Sequence, residues 1–222
     1  MIQHKNQPQR GNILFLILLA VVLFAALTVA VGRGERGQVK DISAERASTL
    51  AAQLVQHASL IENTVLRSMT IDGIPDYGFD FSGLSNSSAN STCTVSACKI
   101  FSGKASPLLI PEWASIDTSN SRATFRTPVV IDVGTSQPDL IIYYTHLKTA
   151  VCEAINQNLG ISVNLALPES FGTAGGYTAT LTSFPTEQGM LGDEVVTLKG
   201  RRGGCFYNGS VGNVFYWVLL AR

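Results

Sequence analysis

The run Ile13–Val31, ILFLILLAVVLFAALTVAV, is nineteen residues without a charge, and Thr28 is its only polar member. As an α-helix rising about 1.5 Å per residue it is roughly 29 Å long, close to the ~30 Å hydrocarbon core of a bilayer. A helix apolar on every side needs either lipid or a large protein around it, and a chain of 222 residues is too small to enclose one. The run therefore reads as a single membrane span. A cleaved secretory signal is the competing reading, because Thr28-Val29-Ala30 offers small residues to a peptidase. The apolar stretch, however, exceeds the about 7–15 residues usual in such signals.

Outward from the span, charge is unevenly placed. Residues 1–71 hold seven Lys/Arg against four Asp/Glu, and residues 72–222 hold nine against twelve, so the zero net charge is an average. No basic field argues for nucleic acid. Lys5 and Arg10 precede the span while Arg33, Arg36 and Lys40 follow it, which leaves orientation open on positive charge alone. The cysteines favour one side. Cys93, Cys98, Cys152 and Cys205 all follow the span, in Ser-, Gly- and Asn-rich surroundings. An even number there points to disulfides and an oxidising compartment. Four cysteines allow three pairings, of which Cys93–Cys98 closes locally and Cys152–Cys205 ties a helix to the C-terminal strands. A metal site is disfavoured, since the spacing is not CxxC and no His lies nearby in sequence.

Past the span, Gly32, Gly34 and Gly37 loosen the helix, each costing on the order of 1 kcal/mol relative to Ala. Between Val39 and Met69 the positions Ala47, Leu50, Leu54, Ala58, Ile61 and Val65 recur at steps of three or four. That spacing predicts an amphipathic helix with one buried face, ending near Asp72-Gly73-Ile74-Pro75. Strands are predicted over 123–133 and 140–144, with the turn at 134–139, and a short helix over 147–159 capped by Gly160. Further strands are expected at 161–167, 177–181, 194–198 and 214–220, with glycines punctuating 200–212 as a gap.

Residues that might carry chemistry do not assemble into a motif. His4, His57 and His146 are the only histidines, and His146 with Asp132 or Asp139 lacks the G-x-S-x-G of a nucleophile elbow. Asp72, Asp76 and Asp80 miss the spacing and final Glu of an EF-hand, and turns at a helix exit explain them. Gly200-Arg201-Arg202-Gly203-Gly204 lacks the Lys of a phosphate loop, and reads as a hairpin with two solvated arginines. No catalytic residue, metal or cofactor is expected.

Read as a unit, the N-terminus resembles a type IV pilin leader. A short basic segment, MIQHKNQPQR, ends in Gly11 immediately before the apolar run. The resemblance implies a prepilin peptidase cutting between Gly11 and Asn12, methylation in the family's manner, and a long helix carrying a β-rich, disulfide-bearing head. Two positions depart from the family: Asn12 stands where Phe or Met is usual, and Leu16 stands at the fifth mature position in place of Glu. The missing Glu makes the chain resemble a minor or initiating pseudopilin more than a major pilin. The C-terminal half, with CEAINQNLGI and GGCF…FYWVLLAR, is similar to uncharacterised envelope proteins of alphaproteobacteria.

The expected organisation is a basic leader over 1–11, a transmembrane helix over 12–31, a Gly-rich hinge and amphipathic helix over 32–71, and an extracytoplasmic disulfide-bearing domain over 72–222. The fold class is α+β and pilin-like, with the long helix packed on an antiparallel sheet and one extra short helix. The resemblance implies a structural subunit of an envelope filament or secretion pseudopilus, single-pass in a bacterial inner membrane with its head periplasmic or extracellular. Its partners would be other pilin-like subunits through the N-terminal helix, the prepilin peptidase and the lipid bilayer. The alternative is an uncleaved, signal-anchored periplasmic binding module.

Overall fold

The computed structural model describes residues 15, 17–25, 44–84, 89–101, 116–119, 123–162, 164–170, 177, 184 and 189–222. The chain divides into two units, residues 1–43 and residues 44–222. In the first, residues 17–25 are helical and expose their large apolar side chains, Phe24 to 77%. Gly11, Asn12, Leu16, the glycine-rich stretch and the rest of the expected span lie outside the described residues. Among the described residues no helix is long and apolar enough to cross a membrane.

The second unit begins with α1 (Ala44–Asp72), twenty-nine residues long. Its buried positions are Ala47, Leu50, Ala51, Leu54, His57, Ala58, Ile61, Glu62, Val65 and Ser68. All six apolar positions picked out by the spacing are on that face. Fully burying side chains such as Leu54, Ile61 and Val65 contributes roughly 1.5–3 kcal/mol each, so packing rather than propensity holds this helix.

Among the described residues, four of the six strands, β1 (Thr124–Arg126), β3 (Leu140–Leu147), β5 (Gly203–Asn208) and β6 (Gly212–Leu220), form one antiparallel sheet of order β1-β3-β6-β5, whereas β2 (Val129–Val130) pairs in parallel with β4 (Met190–Leu191). Between β3 and β5 lies α2 (Thr149–Leu159), closed by Gly160 in the left-handed conformation at φ 65°. Strand alternation sorts the sheet's side chains to two faces. On one, Tyr144 and Phe215 stack at 5.6 Å and meet the helices. On the other, Ile141, Tyr143, Val214, Tyr216 and Val218 build a core with β2, β4 and the short 3-10 turn Val196–Leu198.

Several sequence expectations shift. The strand expected over 123–133 is cut in two at Thr127-Pro128, because Pro128 has no N–H to give the ladder, and its carbonyl accepts from Asp139 instead. Residues 194–198 are not a strand. The Glu169 carboxylate accepts the N–H groups of Gly192 (2.7 Å) and Val195 (2.5 Å) and winds that segment into turns. Residues 164–167 likewise form a turn, closed by the Asn164 side chain on the Ala166 N–H. Of 177–181 only Tyr177 is described, and its N–H donates to the Phe125 carbonyl. The expected glycine gap contains β5. There a Cβ on Gly203 would stand 2.3 Å from the Trp217 ring, so glycine marks a close crossing within the sheet and not its end.

Both expected disulfides form, with Cα–Cα distances of 5.7 Å for Cys93–Cys98 and 5.4 Å for Cys152–Cys205. The second joins α2 to β5, and it is reinforced by a buried reciprocal pair. Asn156 Nδ2 donates to the Cys205 carbonyl at 2.7 Å, and the Cys205 N–H donates to Asn156 Oδ1 at 2.8 Å. The Asn156 amide thus imitates a neighbouring strand along the outer edge of β5, which Glu169 continues by donating its N–H to the Tyr207 carbonyl. An edge covered in this way offers no template for intermolecular pairing.

Replacing Cys152 and Cys205 together by Ala is expected to cost about 4 kcal/mol, against about 2 for Cys93 and Cys98, on the chain-entropy scaling with loop length. Urea denaturation of the two double variants checks the order, and a larger loss from the Cys93/Cys98 variant contradicts it.

Candidate functional site

The polar residues of α1's buried face position the most connected surface feature. Glu62, 9% exposed, accepts the Trp217 Nε1–H at 2.7 Å with one oxygen and pairs with Arg202 at 2.7 Å through the other. This single carboxylate links α1 to β6 and to the approach of β5. Arg202 is therefore not simply a solvated arginine. Its partner on α1 holds it, while the neighbouring Arg201 carbonyl accepts from Tyr216 Oη at 2.9 Å.

Held by Glu62, the Trp217 ring forms one end of an open groove of about 620 Å³ between α1 and the end of α2. Ala52, Val55, Gln56 and Leu60 line it from α1, and Leu159 lines it from α2. No charged residue takes part, and Leu60 is 46% exposed. An uncharged groove beside a fixed aromatic is shaped for packing against another surface. Its polar lining is Ser48, Gln56, Ser59 and Asn158, with no His, Cys or carboxylate among the lining residues.

A second cleft, of about 360 Å³, lies at the other end of the sheet between His146, Lys148, Thr149, Tyr207 and Asn213. His146 sits at φ 57° where the β3–β6 register shifts between Tyr144 and Leu147, which is a bulge geometry. Its Nδ1 lies 3.0 Å from Thr145 Oγ1. Asp139 is seven residues back along an extended strand, roughly 23 Å away at the usual rise. Its carboxylate is committed to the N–H groups of Val130 (3.0 Å) and Arg222 (2.8 Å). Burial pushes Asp139 up to about 6, against the pull of those two N–H groups. Asp132, exposed and at φ 62°, belongs to the turn before β3. The sequence-level grouping of His146 with either aspartate is not brought together.

Nor do Asp72, Asp76 and Asp80 converge. Asp76 pairs with Arg222 at 3.1 Å, and Asp80 Oδ1 accepts the Ser82 N–H at 2.8 Å. Among the described residues, the acidic groups close enough to share a cation are Glu169, Asp193 and Glu194, whose ligand atoms all lie within 4.8 Å of one another. Sequence reading passed over them because Glu169 is over twenty residues from the other two. Both oxygens of Glu169 are engaged by backbone N–H groups, and Glu194 holds Ser170 at 2.9 and 3.0 Å. Loop closure accounts for the cluster. Burial, then the adjoining Glu194 charge and a hydrogen bond with Asp193, raise Glu169 to about 7 against its two backbone donors.

His57 is buried at 3% exposure on α1, with Nδ1 2.9 Å from Tyr144 Oη. His4 lies outside the described residues. No family model, curated protein or solved structure matches this chain.

Two outcomes follow from the geometry. Glu62→Ala leaves the Trp217 N–H without its acceptor and is expected to cost about 1–3 kcal/mol in chemical denaturation, whereas Glu62→Gln, which keeps an acceptor, costs less. Equal losses would place the effect outside the Trp217 bond. For Glu169 the folded value is raised, so its contribution to stability is complete below the unfolded carboxyl value and is lost as pH rises through about 7. The melting temperature should therefore fall between pH 5 and pH 8, and Asp193→Asn should flatten that fall. A variant profile as steep as the parent's counts against the coupling.

Proposed function

We propose that this chain is a minor, pilin-like structural subunit of an envelope filament or secretion pseudopilus, stored in the inner membrane through residues 12–31 before assembly. The observation that carries the reading is α1. A twenty-nine-residue helix, following an apolar run in sequence, lays one face along an antiparallel sheet. That is the layout a helix-cored filament subunit requires, with the apolar run for the core and the disulfide-bearing head for the outside. Two disulfides support an oxidising, extracytoplasmic setting for the head. The uncharged groove beside Trp217 supports contact with neighbouring subunits, and in this reading the protein performs no catalysis.

The same groove favours the second reading, an uncleaved signal-anchored module that binds a partner in the periplasm. Processing separates the two. Intact-mass measurement on native protein from membranes is expected to give a chain beginning at Asn12, and crosslinking is expected to recover other pilin-like subunits. A chain retaining residues 1–11 without such partners selects the anchored module, and one starting near Val31 excludes both.

A further inference from the structure

Three polar side chains lie on the buried face of α1: His57, Glu62 and Ser68. Glu62 has its partners in Trp217 and Arg202. His57 is different. Its Nδ1 meets Tyr144 Oη at 2.9 Å, but its Nε2 reaches no hydrogen-bonding group among the described residues. The ring stands edge-on to Tyr144, with centroids 6.2 Å apart, and Tyr144 in turn stacks on Phe215 of β6. A neutral imidazole carries one N–H, which leaves a single ring nitrogen unsatisfied here. An imidazolium carries two N–H donors and a charge; Tyr144 Oη can accept the Nδ1–H, but among the described residues nothing accepts the Nε2–H.

Among the described residues no acid forms an ion pair with His57; the buried Asp117 bridges to Leu147 at the end of β3. On α1, the nearest acid of the buried face is Glu62, already paired, while Glu45, Arg46 and Arg67 are exposed. From β3 the titratable groups are Tyr143 and Tyr144, with His146 at the far bulge, and β6 adds only Tyr216 on the opposite face. α2 contributes exposed Glu153, and the turn Ser96–Cys98 is followed by exposed Lys99.

We propose that His57 is an acid-sensitive catch, and that its protonation loosens α1 from β3 and β6 while the opposite side of the sheet stays packed. The core on that opposite side contains no residue of α1, and the Cys152–Cys205 bond keeps α2 on β5. α1 is the first element of the second unit, so the loosening is confined to that unit's N-terminal helix. The proposal stands whether or not the chain enters a filament.

The direction with pH is set by burial, which lowers His57 from 6.5 to about 4. Neutral His57 supports docking fully above pH 6.5, and that support is lost as pH falls through 4. Asp139 and Glu169 act oppositely, since both are raised and so favour the folded state in acid. Acid therefore weakens the α1 side and strengthens the loop side.

The test uses the full chain in detergent micelles, with hydrogen exchange normalised for intrinsic rates and NMR titration of the His57 ring. Between pH 7 and pH 4.5 the docking equilibrium is expected to fall about 60-fold, seen as lost protection in α1 peptides with β5 and β6 peptides unchanged. His57→Gln should keep α1 protected at pH 4.5. If that variant does not fold, the wild-type titration decides. A ring that protonates near pH 6.5, or α1 protection that is the same at both pH values, overturns the proposal.

Discussion

The docking of α1 on the centre of the sheet is the contact on which the rest of the second unit depends. Strands β3 and β6 are the middle pair, and α1 packs on one face of both, with His57 on Tyr144 and Glu62 on Trp217. Burying Leu54, Ala58, Ile61 and Val65 at essentially zero exposure removes that face from water. The gain is non-directional, so apolar contact alone would let α1 slide or rotate. Glu62 supplies the direction. A carboxylate that must satisfy both the Trp217 N–H and the Arg202 guanidinium has one register in which it does so.

The two faces of the sheet are stabilised by different means. The helical face relies on apolar area and on one disulfide through α2. Among the described residues, the other face is covered by two-residue strands and a 3-10 turn. Such short elements cannot satisfy their own backbone groups, and buried carboxylates do it for them. Glu169 gathers the Gly192 and Val195 N–H groups, and Asp139 gathers those of Val130 and Arg222. Holding loops with buried carboxylates makes this face sensitive to alkali. The helical face, with its neutral histidine, is sensitive to acid.

The function proposed above would rest on surfaces and not on a reactive centre. His146 and Asp139 are separated by the length of β3, and the acidic cluster at Glu169 is engaged in closing a loop. The uncharged groove where α1, α2 and Trp217 meet is the surface that this reading uses.

Helix content and its buried face were legible in the sequence because a 3.6-residue period needs only local spacing. Ala47, Leu50, Leu54, Ala58, Ile61 and Val65 declare that face whatever they pack against. The apolar run 13–31, the short helix before Gly160 and the even set of cysteines were legible for the same reason. Tertiary structure alone decided three other matters. Gly203 and Gly204 read as a break, yet they open β5, Gly203 against the Trp217 ring and Gly204 against Leu198. Residues 194–198 have the composition of a strand, yet a carboxylate from Glu169 turns them, and no local pattern announces a partner more than twenty residues away. The pairing of Glu62 with Trp217 joins residues 155 positions apart. Local spacing reports what a segment prefers, and side chains that must share a buried donor or charge are matched only when the chain has folded.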